Sequence, residues 1–192
     1  MQIEIEKKYN LTESDYSIIK EKTKLIEEVN LKDYYLDKDL ILAKNNHYLR
    51  LRNWIYELKI SHFDNETGWN YNEEYDNEDE INQKIKPFWI TTDDVIWIMF
   101  VDTFREKYEY TFEWQKINID VDKYQYWTRY EIEILIEIDE NQDKLEIWKK
   151  WAKIIEDFRK ELWLTAESGE SDCKTITCAM HQNIDLYEIM TK

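Results

Sequence analysis

Residues 2–9 read QIEIEKKY, and the reading of this octapeptide as a strand decides the fold. Side chains on a strand point alternately to its two faces. Ile3 and Ile5 therefore share one face, and Glu4, Glu6 and Lys8 share the other. The alternation recurs twice. In LRLR (residues 49–52), Arg50 and Arg52 lie opposite Leu49 and Leu51; in YEIEILIEI (residues 130–138), Glu131 and Glu133 lie opposite Ile132 and Ile134. A half-buried strand with a solvated face explains any one of these. Three in one small domain are a different case, because aligned like charges cost stability unless they pair across strands or bind something. A closed sheet turns such faces inward as a polar tunnel and leaves the apolar faces outside for helices to cover.

Outward from these strands, Thr12 is placed as an N-cap, and Ile18, Ile19, Leu25 and Ile26 at helical spacing predict a helix over 13–28. Short strands are expected at 32–37, 47–53 and 54–62, the last two as a hairpin, and near Trp69–Tyr75. The Asp/Asn run 76–82 reads as a solvated loop, and Thr91 or Thr92 as the cap of a short helix through Val95, Ile96 and Met99. Strands follow at 103–112, 115–122 and 130–138. Leu145, Trp148, Ala152, Ile155, Phe158 and Leu162 then trace the apolar face of a long helix. Trp148, Trp151 and Trp163 are expected in the core. The tail from Thr165 is less patterned and ends in a short helical segment, IDLYEIM. About eight strands and few helices define an α+β chain built on an antiparallel sheet or barrel.

The 192 residues suit one domain, expected over 1–192 with a core at about 2–164 and a C-terminal extension at 165–192. At 43% hydrophobic and 15% aromatic the chain is not disordered, and with 2 Gly and 1 Pro it is not loop-rich. No apolar run approaches the ~20 residues of a membrane span, and no signal-peptide pattern opens the chain, so a soluble, cytoplasmic protein is expected. The net charge of −16 argues against a nucleic-acid or anionic-membrane partner. Cys173 and Cys178 are too few for a disulfide framework and fit no usual zinc spacing. His47, His62 and His181 are scattered, without a Cys or Ser partner for nucleophilic catalysis.

Arginine usage is selective: Arg50, Arg52, Arg105, Arg129 and Arg159 are the five, against 21 Lys among the 26 basic residues. Two of the five in one LRLR strand indicate planar, bidentate donors, which suit phosphate oxygens. The carboxylates of the other strands are hard oxygen ligands for Mg²⁺ or Mn²⁺. No Gly-rich phosphate loop is present. Cations and carboxylates on converging faces predict a metal–polyphosphate site.

Glu4-Ile5-Glu6-Lys7-Lys8 matches the ExExK signature of the CYTH superfamily, the triphosphate tunnel metalloenzymes. YYLDKDLILAKNNHYLRLRN resembles that family's segment ending in a paired-Arg strand. YELK, ending at Lys59, resembles its next strand, FREKY its later Arg-bearing strand, and INIDVDKYQYWTRYEIEI the stretch where an Asp precedes paired Glu. The similarity spans roughly 2–137. It implies an eight-stranded antiparallel β-barrel, the triphosphate tunnel, with flanking helices. Glu4 and Glu6 would then hold a metal against the triphosphate. Lys8, Arg50, Arg52, Lys59 and Arg105 would neutralise its oxygens, and Asp122, Glu131 and Glu133 would hold or orient a second metal and the attacking water. The Asp is Asp120 or Asp122, with Asp122 preferred, and the mid-chain substrate-binding acid is Glu73 or Glu74, with Glu73 preferred. Where the family has small residues before the paired Glu, this chain has Tyr126-Trp127-Thr128-Arg129. The implied activity is Mg²⁺- or Mn²⁺-dependent hydrolysis of a linear triphosphate: inorganic triphosphate first, then thiamine or nucleoside triphosphate. The alternatives are a class IV adenylyl cyclase and a non-catalytic polyphosphate or nucleotide binder. A monomer or homodimer is expected.

Overall fold

The octapeptide lies in β1 (Gln2–Asn10), the first strand of a computed structural model that describes residues 2–64, 69–137, 144–165 and 174–191. There follow α1 (Glu13–Lys22), β2 (Lys24–Asp37), β3 (His47–Arg52), β4 (Ile55–Asp64), β5 (Trp69–Tyr75), α2 (Glu78–Ile85), β6 (Ile96–Phe112), β7 (Gln115–Tyr124), β8 (Thr128–Glu137), α3 (Lys144–Glu161), α4 (Lys174–Gln182) and α5 (Ile184–Met190). The fold is the expected α+β one: eight antiparallel strands in the order β1-β8-β7-β6-β2-β3-β4-β5, with flanking helices. Backbone contacts group the chain into two compact units, Met1–Asn30 with Thr103–Ser171, and Leu31–Asp102 with Asp172–Lys192.

In the first unit the apolar faces of three strands meet one helix. Ile5 and Tyr9 of β1, Ile117, Ile119 and Val121 of β7, and Tyr130, Ile132 and Ile134 of β8 are buried with Trp151, Ile155, Phe158 and Leu162 of α3. Each such aliphatic or aromatic side chain contributes about 1.5–3 kcal/mol on burial. Lys7 also points to this side, bonding Glu156 of α3 at 2.7 Å, so of the two adjacent lysines only Lys8 belongs to the charged face. Strand parity thus presents Glu6 and Lys8, Asp120 and Asp122, and Glu131 and Glu133 together on the opposite face.

In the second unit Leu36, Leu49, Leu58 and Ile60 pack on Ile81 and Ile85 of α2. The β3–β4 connection is the two residues Asn53 and Trp54, at φ 47° and 72°. This tight turn with two left-handed residues matches strand twist and is most easily occupied by Gly or Asn. The Asn53 Oδ1 accepts from the Lys32 amide at 3.0 Å and fixes the turn to β2.

Four expectations are corrected. The first helix ends at Lys22, because Thr23, in extended conformation, closes it onto the Ile19 carbonyl; Leu25 and Ile26 then lie exposed in β2. The run 76–82 is not a loop throughout: Asn77 caps α2, and Ile81 and Ile85, one turn apart, are fully buried. The expected helix through Val95–Met99 is instead the start of the 17-residue β6, as its β-branched and aromatic content favours. Trp163 is not core: it follows α3 at φ 64° and is 75% exposed. The tail carries α4 as well as the expected α5. Cys173 lies outside the described residues, and Cys178 is buried in α4. Among the described residues no helix is long and apolar enough to cross a membrane.

Candidate functional site

On the first unit's charged face, strand register brings like charges together. Glu6 of β1 lies directly opposite Glu133 of β8, and Asp120 of β7 opposite Glu131. Opposed like charges destabilise a sheet, and three cations interleave to offset them. Arg105 of β6 grips Asp122 bidentately, Nε to Oδ1 at 2.6 Å and Nη2 to Oδ2 at 2.7 Å, and its Nη1 donates to Asp120. Its Nη2 also stands 3.6 Å from Glu131. Lys8 pairs with Glu6 and lies 4.0 Å from Glu131. Arg129 pairs with Glu131. Glu133 accepts from Asn118 at 3.5 Å. Glu4 belongs to β1 opposite Leu135, and its side chain lies outside the described set.

The two aspartates left open by sequence share this face in different states. Asp122 is fully buried and saturated by the Arg105 fork. Burial pushes the Asp120 carboxyl up to about 7; the Arg105 charge opposes this, and Glu133, Glu131 and Asp122 add to it. An unfolded aspartate titrates near 3.9. The folded state thus holds a proton that the unfolded chain releases, and this contribution to stability is lost as pH rises from about 4 through about 7. Asp120→Asn is therefore expected to raise Tm relative to wild type at pH 8, with the difference shrinking towards pH 5. Thermal melts across that range check it, and a pH-independent difference contradicts it.

The second unit carries the cationic face. Arg52 of β3 donates to Asp33 of β2 through Nε at 2.6 Å and Nη2 at 2.9 Å, and Arg50 donates to Glu57 of β4 through Nε at 2.7 Å. Burial pushes the fully buried Asp33 up, but the Arg52 hydrogen bonds and the charges of Arg50, Arg52 and Lys174 bring it below the usual carboxylate range. Lys59 pairs with Glu74 of β5 at 3.0 Å. The preferred Glu73 is not on this face. It shares the α2 side with Ile60 and Tyr75, bonding the Tyr75 hydroxyl at 2.6 Å and facing His62 at 3.2 Å and Lys84 at 3.8 Å. Alternation separates the neighbours, and Glu74 takes the place beside Lys59.

Sequence reasoning missed several members of these faces. Asp33 alternates with Tyr35 in β2, opposite Arg52 and Arg50, and Arg129 keeps step with Glu131 and Glu133; period two was the available signal. Lys174 and Thr175 carry no such signal. They open α4, where buried Lys174 reaches within 3.9 Å of Asp33 and the Thr175 hydroxyl shares a 3.0 Å hydrogen bond with Tyr35. His47 bonds the Asn45 carbonyl through Nδ1 and meets the Phe88 ring edge-on.

Among the described residues no three His, Cys, Asp or Glu side chains are gathered as a ready metal site, the carboxylates being turned onto guanidinium and ammonium groups. The donor set still fits a hard divalent cation. It offers carboxylate oxygens, and it opposes Glu6 to Glu133 and Asp120 to Glu131 in a way that an added positive charge would relieve.

The CYTH domain matches residues 2–162, and the chain belongs to that family. Among solved structures it is similar to a candidate adenylyl cyclase from Hippeastrum, HpAC1, described by a dominant triphosphatase activity (TM-score 0.64, 16% identity, 97% of this chain and 99% of that one). It is similar also to the PH1819 protein from Pyrococcus horikoshii OT3 (TM-score 0.59, 18% identity, 87% and 94%). A third is a candidate adenylate cyclase from Bacillus halodurans (TM-score 0.54, 14% identity, 91% and 97%). At these identities the likeness is one of fold. No curated protein matches the sequence.

Proposed function

We propose that this protein hydrolyses a linear triphosphate, inorganic triphosphate first, with the help of Mg²⁺ or Mn²⁺. The observation that carries the reading is the double opposition of carboxylates on β8, Glu6 against Glu133 and Asp120 against Glu131, with Lys8, Arg105 and Arg129 set among them. Such a face suits a divalent cation and offers donors to an anion. Family membership and the triphosphatase activity described for the Hippeastrum protein support it.

Glu4, Glu6, Glu131 and Glu133 would hold the metal. When bound, it would supply charge neutralisation at the transferring phosphoryl group. Lys8 and Arg105 would bind phosphate oxygens, and Arg50, Arg52 and Lys59 of the second unit are donors of the same kind. Water attacks the terminal phosphorus, the bridging P–O bond breaks, and orthophosphate and diphosphate leave. Asp120, with its proton affinity near neutrality, accepts the water's proton. Asp122, the acid preferred from sequence, serves in this reading to hold Arg105 in place.

Product analysis by phosphorus NMR tests the proposal, with triphosphate, thiamine triphosphate and ATP each incubated with Mg²⁺ or Mn²⁺. Orthophosphate release is expected, fastest from inorganic triphosphate. Pyrophosphate and cyclic AMP from ATP would assign a cyclase instead. No product, with triphosphate still raising Tm, would leave a binding protein.

A further inference from the structure

Arg129 lies in the Tyr126-Trp127-Thr128-Arg129 stretch that replaces the family's small residues, and it belongs to no expected set of site residues. On β8 it keeps parity with Glu131 and Glu133, sits opposite Asp122 in register, and is 4% exposed. Its Nη2 donates to Glu131 Oε1, while Glu131 Oε2 faces Arg105 Nη2 at 3.6 Å. Glu131 Oε1 thus takes Arg129, with Lys8 at 4.0 Å, while Oε2 faces Arg105. Arg105 is committed to Asp122 by its bidentate fork and to Asp120 by Nη1, so the short contact to Glu131 is the one from Arg129. The described face sets the carboxylates of Glu6, Asp120, Asp122, Glu131 and Glu133 against Lys8, Arg105 and Arg129. Removing Arg129 would take a buried cation from beside Glu131.

Resting on the reading of this face as a metal-assisted triphosphatase site, we propose that Arg129 is a positioning residue. It holds the Glu131 carboxylate in its working orientation and limits how tightly the face takes a divalent cation. A guanidinium suits both tasks, since it is always charged and its rigid plane aims the donating Nη2 at one oxygen of the carboxylate. The two tasks predict effects of opposite sign. Loss of the cation strengthens the attraction for a metal ion, because a neighbouring positive charge is repelled less. Loss of the Nη2 contact frees Glu131 to rotate, which slows the chemical step.

The test is Mn²⁺ titration of the full chain by electron paramagnetic resonance without substrate, beside steady-state kinetics. Arg129→Met is expected to bind Mn²⁺ at least about fivefold more tightly, while kcat falls at least about tenfold with KM changed less than about threefold. A merely structural lesion would weaken both. Arg129→Lys keeps the charge without the rigid guanidinium that aims Nη2 at Glu131, so its Mn²⁺ affinity should return close to that of wild type while kcat stays low. If Arg129→Met fails to fold, the Lys variant decides alone. Weaker Mn²⁺ binding in Arg129→Met, or wild-type kcat in either variant, overturns the proposal. A wild-type protein that releases no product from any triphosphate instead overturns the reading on which it rests.

Discussion

Arg105→Ala is expected to cost about 3–5 kcal/mol of stability and more than about a hundredfold in turnover. The stability loss follows from what the guanidinium leaves behind. Asp122 and Asp120 are 0% and 4% exposed at the side chain, and both take their cation from Arg105. Truncating one partner of a buried, hydrogen-bonded charge set strands the others without solvent. Burial pulls the Arg105 pKa down, but the Asp122 hydrogen bond and the charges of Asp122, Glu131 and Asp120 outweigh it and hold it well above the usual arginine range. In a domain of this size each kcal/mol moves Tm by roughly 2–4 °C, so a drop on the order of 10 °C is expected. The double variant Arg105→Ala/Asp122→Asn separates the two roles. Neutralising the stranded carboxylate should recover a good part of Tm and none of the turnover. Recovery of turnover would show that Arg105 serves the fold alone.

Arg52→Ala is expected to raise KM for triphosphate at least about tenfold while costing less stability than the loss of Arg105, because Lys174 remains beside Asp33. Arg52 is anchored by two hydrogen bonds to Asp33, and its Nη1 stands 3.5 Å from Glu57. The same variant should make stability more sensitive to acid. Asp33 sits below its unfolded pKa, so its contribution is present above about pH 4 and is lost as pH falls through the folded value. Without Arg52 the folded pKa rises and the loss begins at a higher pH. Urea melts at pH 7 and pH 5 measure this, and an unchanged pH dependence would exclude the Asp33 pair as its source.

The charged strands were legible because period two is local. QIEIEKKY, LRLR and YEIEI each state which residues share a face, and Lys8, Arg50, Arg52, Glu131 and Glu133 lie where alternation places them. Element ends were harder. Leu25 and Ile26 mimic a helical stripe, and only Thr23, closing α1 onto Ile19, shows that the stripe ends before them. The choice of Glu74 over Glu73 depends on whether Lys59 or Ile60 is the neighbour, which is a matter of pairing register between β4 and β5.

The sequence by itself determined the antiparallel α+β class, the apolar face of α3 and the identity of the paired acids and paired arginines, since each follows from side-chain direction along one element. Only the tertiary structure decided which charges oppose one another. Glu6 meets Glu133 because β1 pairs with β8 in one register and no other, and a slip of β1 by one residue would send Glu6 and Lys8 to the helix side. It also decided that Arg105 forks onto Asp122 while Asp120 is pushed up to about 7, and that α4 carries Lys174 to Asp33 across a long stretch of chain. Burial and electrostatic coupling depend on distance in space, and no local pattern encodes them.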